Sequence, residues 1–421
     1  MNKIIIKACS EILKEHFVSS VPADMQLSLF FRNNRFLGSH DRDALAELYY
    51  GVIRNKRYLI ESVSEENPRK LVLVYIMLIL GQSIREISNF VDDQDLKWLK
   101  DKKSNKVSIK KWASKLSLPD WIWEKLINEY GEKSAIHLAK SLLVPANLNL
   151  RVNLLKEKNV SKVIDTLVAS FPKLKNEITK TKLSPLAISL PRGTSIQKNS
   201  LFLDGIIEVQ DEGSQILSFL VNPKRGHMVA DFCAGAGGKT LGIAAMMKNT
   251  GRLYAFDISE KRLANLKKRL KKSGASNIMP YKIIHENDTK IKRLRNKFDR
   301  VLVDAPCTGF GTLRRNPDLK WKHNIDSLKE LNKKQNLIIN SASKLCKVGA
   351  HLIYATCSFL KDENEDIVNN FLLENKNFRI ISPDSIFTKY GIPLKSEKYL
   401  KLIPNEHQTD GFFSVILERL K

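Results

Sequence analysis

The sequence predicts an α/β fold: a mostly parallel sheet covered by helices on both faces, preceded by an all-helical domain and a small α/β module. Three observations carry that prediction. Over residues 1–138 apolar side chains recur at three- and four-residue spacing, with few alternating runs. Residues 139–205 change to short mixed segments around Pro145, Pro172, Pro185 and Pro191. From 206 to 421 short apolar strands alternate with longer helical patterns, the signature of βαβ units. At roughly 150 residues per domain, two or three domains are expected of a 421-residue chain, long enough to bury a core without staples.

In chain order, helices are predicted over Ile4–Phe17, Ala44–Ile60, Leu71–Ile87 and Trp121–Leu143. Breaks fall at Glu65-Glu66-Asn67-Pro68 and in the lysine-rich stretch 101–111. Glu11 and Glu15 interrupt the first apolar stretch, which reads as an amphipathic helix rather than a signal peptide. The most apolar run, Leu71 to Leu80, is too short to span a bilayer and reads as a core helix. A cytoplasmic, monomeric protein with no membrane partner is expected. In the last domain the strands are HMVADFCA, RLYAFDIS, IMPYKIIHE, FDRVLVDAPC and HLIYATCS, separated by helical patterns, with FFSVILERL closing the chain. Ligands of such a sheet sit at the carboxyl ends of its strands.

Charge narrows the partners. Seventy cations against 45 carboxylates leave +25, with a pI near 9.7. A polyanion is the partner that this excess implies, although with 50 lysines to 20 arginines part of it serves surface solvation. Five cysteines (Cys9, Cys233, Cys307, Cys346, Cys357) form no C-x-x-C pair, and the eight histidines form no ligand cluster. Neither a disulfide framework nor a metal site is expected.

The strand at Met228–Phe232 runs into Cys233-Ala234-Gly235-Ala236-Gly237-Gly238-Lys239-Thr240 and then a helical pattern. Its glycines let the backbone turn sharply and approach a ligand where a Cβ would obstruct. The loop is not a Walker A sequence, because Cys233 stands where the first glycine belongs, and it is not G-x-G-x-x-G. A tight strand–helix turn therefore stays open as its explanation. Asp257 sharpens the reading: it lies twenty residues past Gly237 at the next strand end, where a carboxylate can accept from both ribose hydroxyls of an adenosine ligand. A helix cap ahead of Ser259-Glu260-Lys261 is the competing role. Asp288, after the third strand, stands where an adenine amino group can be met, although Asn287-Asp288-Thr289 is also ordinary turn chemistry.

Two further strands end in cysteine: Val301-Leu-Val-Asp304-Ala-Pro-Cys307 and Leu352-Ile-Tyr-Ala-Thr-Cys357-Ser358. As neighbours in a parallel sheet, about 4.8 Å apart, they would open both thiols into one crevice. Cys9 and Cys346, inside helical patterns, read as buried small hydrophobes. The chemistry that wants two thiols, an acid and a nucleotide loop is methylation of a pyrimidine carbon. A thiolate attacks carbon 6 of cytosine and makes carbon 5 enamine-like; an acid at N3 stabilises the charge that develops. After methyl transfer a base removes the carbon 5 proton and the thiol leaves.

These residues resemble the RNA cytosine-carbon-5 methyltransferase family, in the Sun/Fmu type of bacterial small-subunit (16S) ribosomal RNA methyltransferase. The resemblance runs through Gln210-Asp-Glu-Gly-Ser-Gln215, the 233–240 loop, Asp304-Ala-Pro-Cys-Thr-Gly309 with Thr312-Leu-Arg-Arg-Asn-Pro-Asp318, Ala355-Thr-Cys-Ser358 with Glu363-Asn-Glu365, and Thr409-Asp-Gly-Phe-Phe413. It implies a Rossmann-like S-adenosylmethionine-dependent methyltransferase domain, with Cys357 as nucleophile and Cys307 as releasing residue. Asp304 would contact cytosine and the methionine part of the cofactor, and Lys239 would point into the active site. Cys233 to Lys239, Asp257, Arg262 and Asp288 would hold the cofactor. The stretch before residue 139, with Leu37-Gly-Ser-His-Asp-Arg42 and Tyr50-Gly-Val-Ile-Arg54, looks like the NusB-like helical RNA-binding domain found in front of such enzymes. Ala236 departs from the family's usual proline and leaves the rigidity of the loop open.

Arg314, Arg315, Lys320 and Lys322 follow the Pro-Cys loop and could neutralise phosphates near the target base, with Trp321 and Phe310 as candidate stacking faces and core packing at least as strong a reading for Trp321. The lysine-rich Lys261–Lys272 reads mostly as a solvated helix face. A cytosine must leave its stack before a thiol reaches carbon 6, so single-stranded or unfolded RNA is the expected substrate form. Transfer RNA is the competing substrate. A non-catalytic NusB-like RNA-binding or assembly factor is the competing class, disfavoured by the intact thiol pair. The loop sequence disfavours a dinucleotide dehydrogenase.

Overall fold

The structure is a computed structural model that describes residues 2–105 and 107–421. The chain divides into two compact units, Met1–Val144 with Leu313–Asn324, and Pro145–Thr312 with Ile325–Lys421. Among the described residues no helix is long and apolar enough to cross a membrane.

The first unit is helical. Lys3–Val18, Ser39–Arg54 and Pro68–Val74 supply most of a core that includes Ile12, Leu13, Leu48, Tyr49, Val52 and Leu71. The helix expected over Ala44–Ile60 is two: the Asn55 amide donates to the Gly51 carbonyl at 2.9 Å and ends the first, and Lys56–Val63 forms the second. The run expected over Leu71–Ile87 also divides. After a widened turn at Tyr75–Ile79 the chain leaves the helix, and Ser83 with Glu86 forms a capping box that starts Ile84–Ile87.

Segment Leu313–Asn324 leaves its sequence neighbours and packs with these helices. Asp318 Oδ2 accepts the Ala23 N–H at 3.2 Å, and the Arg54 guanidinium donates to the Arg314 carbonyl at 2.8 Å. The Trp321 indole donates to the Ile53 carbonyl at 2.9 Å, and the Lys320 amine donates to the Arg54 carbonyl at 2.7 Å. One expectation changes here: Lys320 is 3% exposed with its amine on a backbone carbonyl, so it does not face a phosphate. Trp321 takes the packing role of its two readings and lies against the helical core.

The second unit holds two sheets. The smaller contains β1 (Leu148–Val152), β2 (Thr179–Lys180), β3 (Ala187–Leu190) and β4 (Ile207–Val209), antiparallel in the order β2-β3-β1-β4. Since β4 pairs with β1, this module runs past residue 205, where the alternation in sequence placed its end.

The larger sheet contains β5 (Met228–Asp231), β6 (Arg252–Asp257), β7 (Ile278–Lys282), β8 (Phe298–Asp304), β9 (Cys346–Thr356), β10 (Phe378–Ile381), β11 (Tyr399–Leu402) and β12 (Phe412–Arg419). Its order is β10-β12-β9-β8-β5-β6-β7, with β11 also paired to β12. The strands from β5 to β9 pair in parallel, and β12 returns antiparallel beside β9. Most of β8 and of the second half of β9, from Ala350 to Thr356, is buried, which is why VLV and LIYAT read as apolar runs. The chain moves outward from β5 to β7, then restarts at β8 on the other side of β5. The crevice at the carboxyl ends of β5 and β8 is therefore the switch point where such folds bind ligands.

Candidate active site

A cavity of about 660 Å³ opens at that switch point, within the range of small-molecule sites. Cys233, Ala234, Gly235, Ala236, Gly238 and Lys239 line one side, with Asp257, Arg262, Asp304, Cys307 and Cys357 around the rest. Gly237 makes the turn. Its φ of +84° is left-handed, and a Cβ there would stand 2.2 Å from Leu266 Cδ1. The loop thus lies directly on the helix Glu260–Ser273.

Polar groups from the smaller sheet and from this helix fasten the loop from behind. The buried Arg151 guanidinium, on β1, donates to the Gly238 carbonyl at 2.7 Å and to the Gln210 side chain. Arg269 donates to the Ala236 carbonyl at 2.8 Å and forms an ion pair at 2.9 Å with Glu208 of β4. Ala236 lacks the fixed φ of proline, and this bond supplies a restraint in its place. Neither arginine stands out in the sequence. Its one signal is a charge inside an apolar strand, as in LNLRVNLL.

Asp257 accepts the Gly235 N–H at 2.8 Å on one carboxylate oxygen and the Ser259 N–H at 2.7 Å on the other. Ser259, whose hydroxyl accepts the Arg262 N–H, is the helix cap, so Asp257 does not fill that role. Each Asp257 oxygen keeps a second lone pair, and Asp257 lines the cavity. Asp288 takes the turn role of its two readings. Its two oxygens accept the Ile284 and Lys290 N–H groups, each at 2.9 Å, and these bonds hold its pKa below the usual carboxylate value. It caps a short helical turn and is not part of the cavity wall, to which Ile283 and Glu286 of the same loop contribute.

At the β8 end Asp304 Oδ2 accepts from Lys239 Nζ at 2.7 Å. Burial disfavours the Lys239 ammonium, but Asp304 beside it prevails and its pKa is raised. Beneath the loop Asp231, passed over in sequence, is 1% exposed; burial pushes its pKa up to about 7.

Residues Asp304 and Ala355 are register partners in β8 and β9, so the cysteines two or three residues on meet: Cys307 Sγ and Cys357 Sγ are 3.2 Å apart. The Gly311 N–H donates to the Cys357 carbonyl at 2.9 Å, and a Cβ on Gly311 would lie 2.0 Å from the Gly411 carbonyl. The hydrogen bond with Cys357, and then burial, raise the Cys307 pKa well above the ordinary thiol value. Phe310 is fully buried against Phe359 and offers no stacking face.

Residues 218–418 match the family described as 16S rRNA methyltransferase RsmB/F. A Bacillus subtilis protein named "Probable ribosomal RNA small subunit methyltransferase B" is 30% identical over 311 residues, 72% of this chain and 67% of that protein. The chain belongs to the RsmB/F family. It is an S-adenosylmethionine-dependent RNA cytosine-C5 methyltransferase. A Homo sapiens relative, named 28S rRNA (cytosine(4447)-C(5))-methyltransferase, is 28% identical over 70% of this chain and 37% of its own. Among solved structures, that of PH0851 superposes with a TM-score of 0.79 at 26% identity, covering 100% of this chain and 99% of that one. The cavity fits the cofactor of an RsmB/F enzyme: the Asp257 carboxylate lines it at the β6 end, beside the glycine loop that lines one side.

Proposed function

We propose that this RsmB/F enzyme methylates a cytosine of 16S ribosomal RNA through a covalent adduct between Cys357 and carbon 6, which Cys307 then resolves. The observation that carries the reading is the 3.2 Å approach of the two sulfurs on the wall of the cavity. The hydrogen bond with Cys357 and burial favour the neutral thiol of Cys307, which supports Cys357 as the attacking atom. Attack on carbon 6 puts negative charge on the ring. Asp304 meets the N3 edge, and the Lys239 ammonium paired with it offsets that charge. S-Adenosylmethionine, bound against the glycine loop, Asp257 and Arg262, supplies an electrophilic methyl group. Once Cys357 is committed to the adduct, it no longer accepts the hydrogen bond that chiefly held the Cys307 proton. Cys307 then passes its thiol proton to water, and the thiolate takes the carbon 5 proton while the carbon 6–sulfur bond breaks and Cys357 departs as a thiolate.

The +25 charge supports a polyanionic substrate, with Arg314 and Arg315 as phosphate ligands on single-stranded or unfolded RNA. The test is a denaturing gel after incubation with S-adenosylmethionine and either a 16S RNA transcript or a transfer RNA. Cys357→Ala should give neither product nor adduct, and Cys307→Ala an adduct that survives denaturation. The opposite pattern would reverse the roles. Methylation confined to transfer RNA would replace the substrate.

A further inference from the structure

Glu363 stands outside the cavity wall and has no task in the reaction above, yet it is fully buried, and burial raises its pKa. A buried carboxylate is costly unless hydrogen-bonded, so its partners are informative. Oε1 accepts the Thr308 N–H at 2.9 Å and the Gln335 amide at 3.0 Å, while Oε2 accepts the Thr308 hydroxyl at 2.6 Å. The same Gln335 amide donates to the Pro306 carbonyl at 2.9 Å. Residues on both sides of Cys307 are thereby fastened to one carboxylate.

The loop of Cys357 is tied to the same point. The Tyr354 hydroxyl donates to the Glu363 carbonyl at 2.7 Å. Next along the chain, the Asn364 side chain donates to the Ser358 carbonyl at 3.0 Å and accepts the Thr356 hydroxyl at 2.5 Å. Glu363 and Asn364 therefore join the residues that flank both sulfurs.

We propose that Glu363 is the positioning residue for the releasing thiol: through Thr308 and Gln335 its carboxylate fixes the Pro306–Thr308 turn against the Cys357 loop and sets the sulfur–sulfur approach on which release depends. The proposal rests on the roles given to the two cysteines above. The carboxylate also strengthens the hold of Cys307 on its proton, which opposes its ionisation, so the aid to release comes from geometry and not from charge. A residue that served stability alone would affect adduct formation and release together. A positioning residue for Cys307 affects release.

Single-turnover reactions with RNA and S-adenosylmethionine separate the two steps. Glu363→Gln keeps the shape of the side chain but removes the charge and sets an amide donor among groups that already donate. It should form the Cys357 adduct at the wild-type rate and release it roughly tenfold more slowly, so that a denaturation-resistant band builds up. Thr308→Val should do the same, and Thr308→Ser, which keeps the hydroxyl, should behave as wild type. A folded Glu363→Gln that turns over without accumulating adduct, or that loses adduct formation and turnover in parallel, overturns the proposal. If Glu363→Gln does not fold, the two Thr308 variants decide by the same criterion. Cys307→Ala is the control. Without an adduct there the cysteine roles fail; with one there, and none in Glu363→Gln or Thr308→Val, the clamp alone fails.

Discussion

A carboxylate buried with one oxygen unpartnered carries a pH signature, and Asp231 is such a group: Oδ2 accepts the Thr240 hydroxyl at 2.7 Å and Oδ1 has no partner among the described residues. Burial pushes its folded pKa up to about 7 from an ordinary value of 3.8. Between those values the unfolded chain has released a proton that the folded chain keeps, so stability falls as pH rises through the window. Asp231→Asn should therefore gain stability over wild type as pH goes from 5 to 8, read as a widening gap in Tm for the cofactor-free protein. A constant gap would refute it. The Lys239–Asp304 pair makes the complementary case, with side chains 11% and 29% exposed. Lys239→Met or Asp304→Asn alone should each cost roughly 2–3 kcal/mol by leaving a charge unpaired, and the double variant less than their sum, in urea titrations. Strict additivity would mean that the pair is not coupled. Residues with a chemical signature, two strand-end thiols and an acid beside a glycine turn, were legible in the sequence. Asp231 was not, because an acid at the end of an apolar strand looks the same whether it meets solvent or is sealed under a loop.

Elements were legible where one force dominates. The buried stretches of β5, β6, β8 and β9 appear as apolar runs, and the parallel order follows from the alternation with helices. The edge strands β10 and β11 escaped because their alternation is short and only one neighbour fixes each. Helix breaks at Asn55 and before Ser83 escaped because apolar spacing persists across them, and local side-chain bonds decide where the helix ends. The restraint on the glycine loop was hidden for a different reason: it comes from strands that are distant in sequence. Arg269 bonds the Ala236 carbonyl and the Glu208 carboxylate at once, which a planar guanidinium can do and an ammonium on a flexible stem does poorly. Arg269→Lys should therefore weaken S-adenosylmethionine binding by roughly tenfold in calorimetric titration while the chain stays folded. Unchanged affinity would show that the loop holds its shape without the brace.

At the scale of the whole molecule, sequence order misleads about the basic segment after the Pro-Cys loop. Proximity to Cys307 along the chain suggests that Arg314, Arg315 and Lys320 act together on phosphates. The chain instead leaves the second unit after Thr312, packs residues Leu313–Asn324 with the helices of the first, and returns at Ile325. That excursion divides the cations by burial. Lys320 is sealed, and burial holds its pKa well below the ordinary lysine value, so it adds little charge for an RNA backbone to meet. Arg314 and Arg315 are half-buried, and a guanidinium stays charged in either setting. The two kinds of residue should separate in the salt dependence of RNA binding. Removing one cation that neutralises a phosphate of a single strand lowers the slope of log K against log salt by about 0.7, so Arg314→Ala/Arg315→Ala together should flatten it by up to about 1.4. Lys320→Met keeps the packing, gives up the bond to the Arg54 carbonyl, and should leave the slope where it was. Filter binding of a single-stranded 16S fragment across a salt series reads both. A slope that drops with Lys320→Met would mean that the segment opens to meet RNA, and one unchanged in the double arginine variant would take both arginines out of the RNA interface.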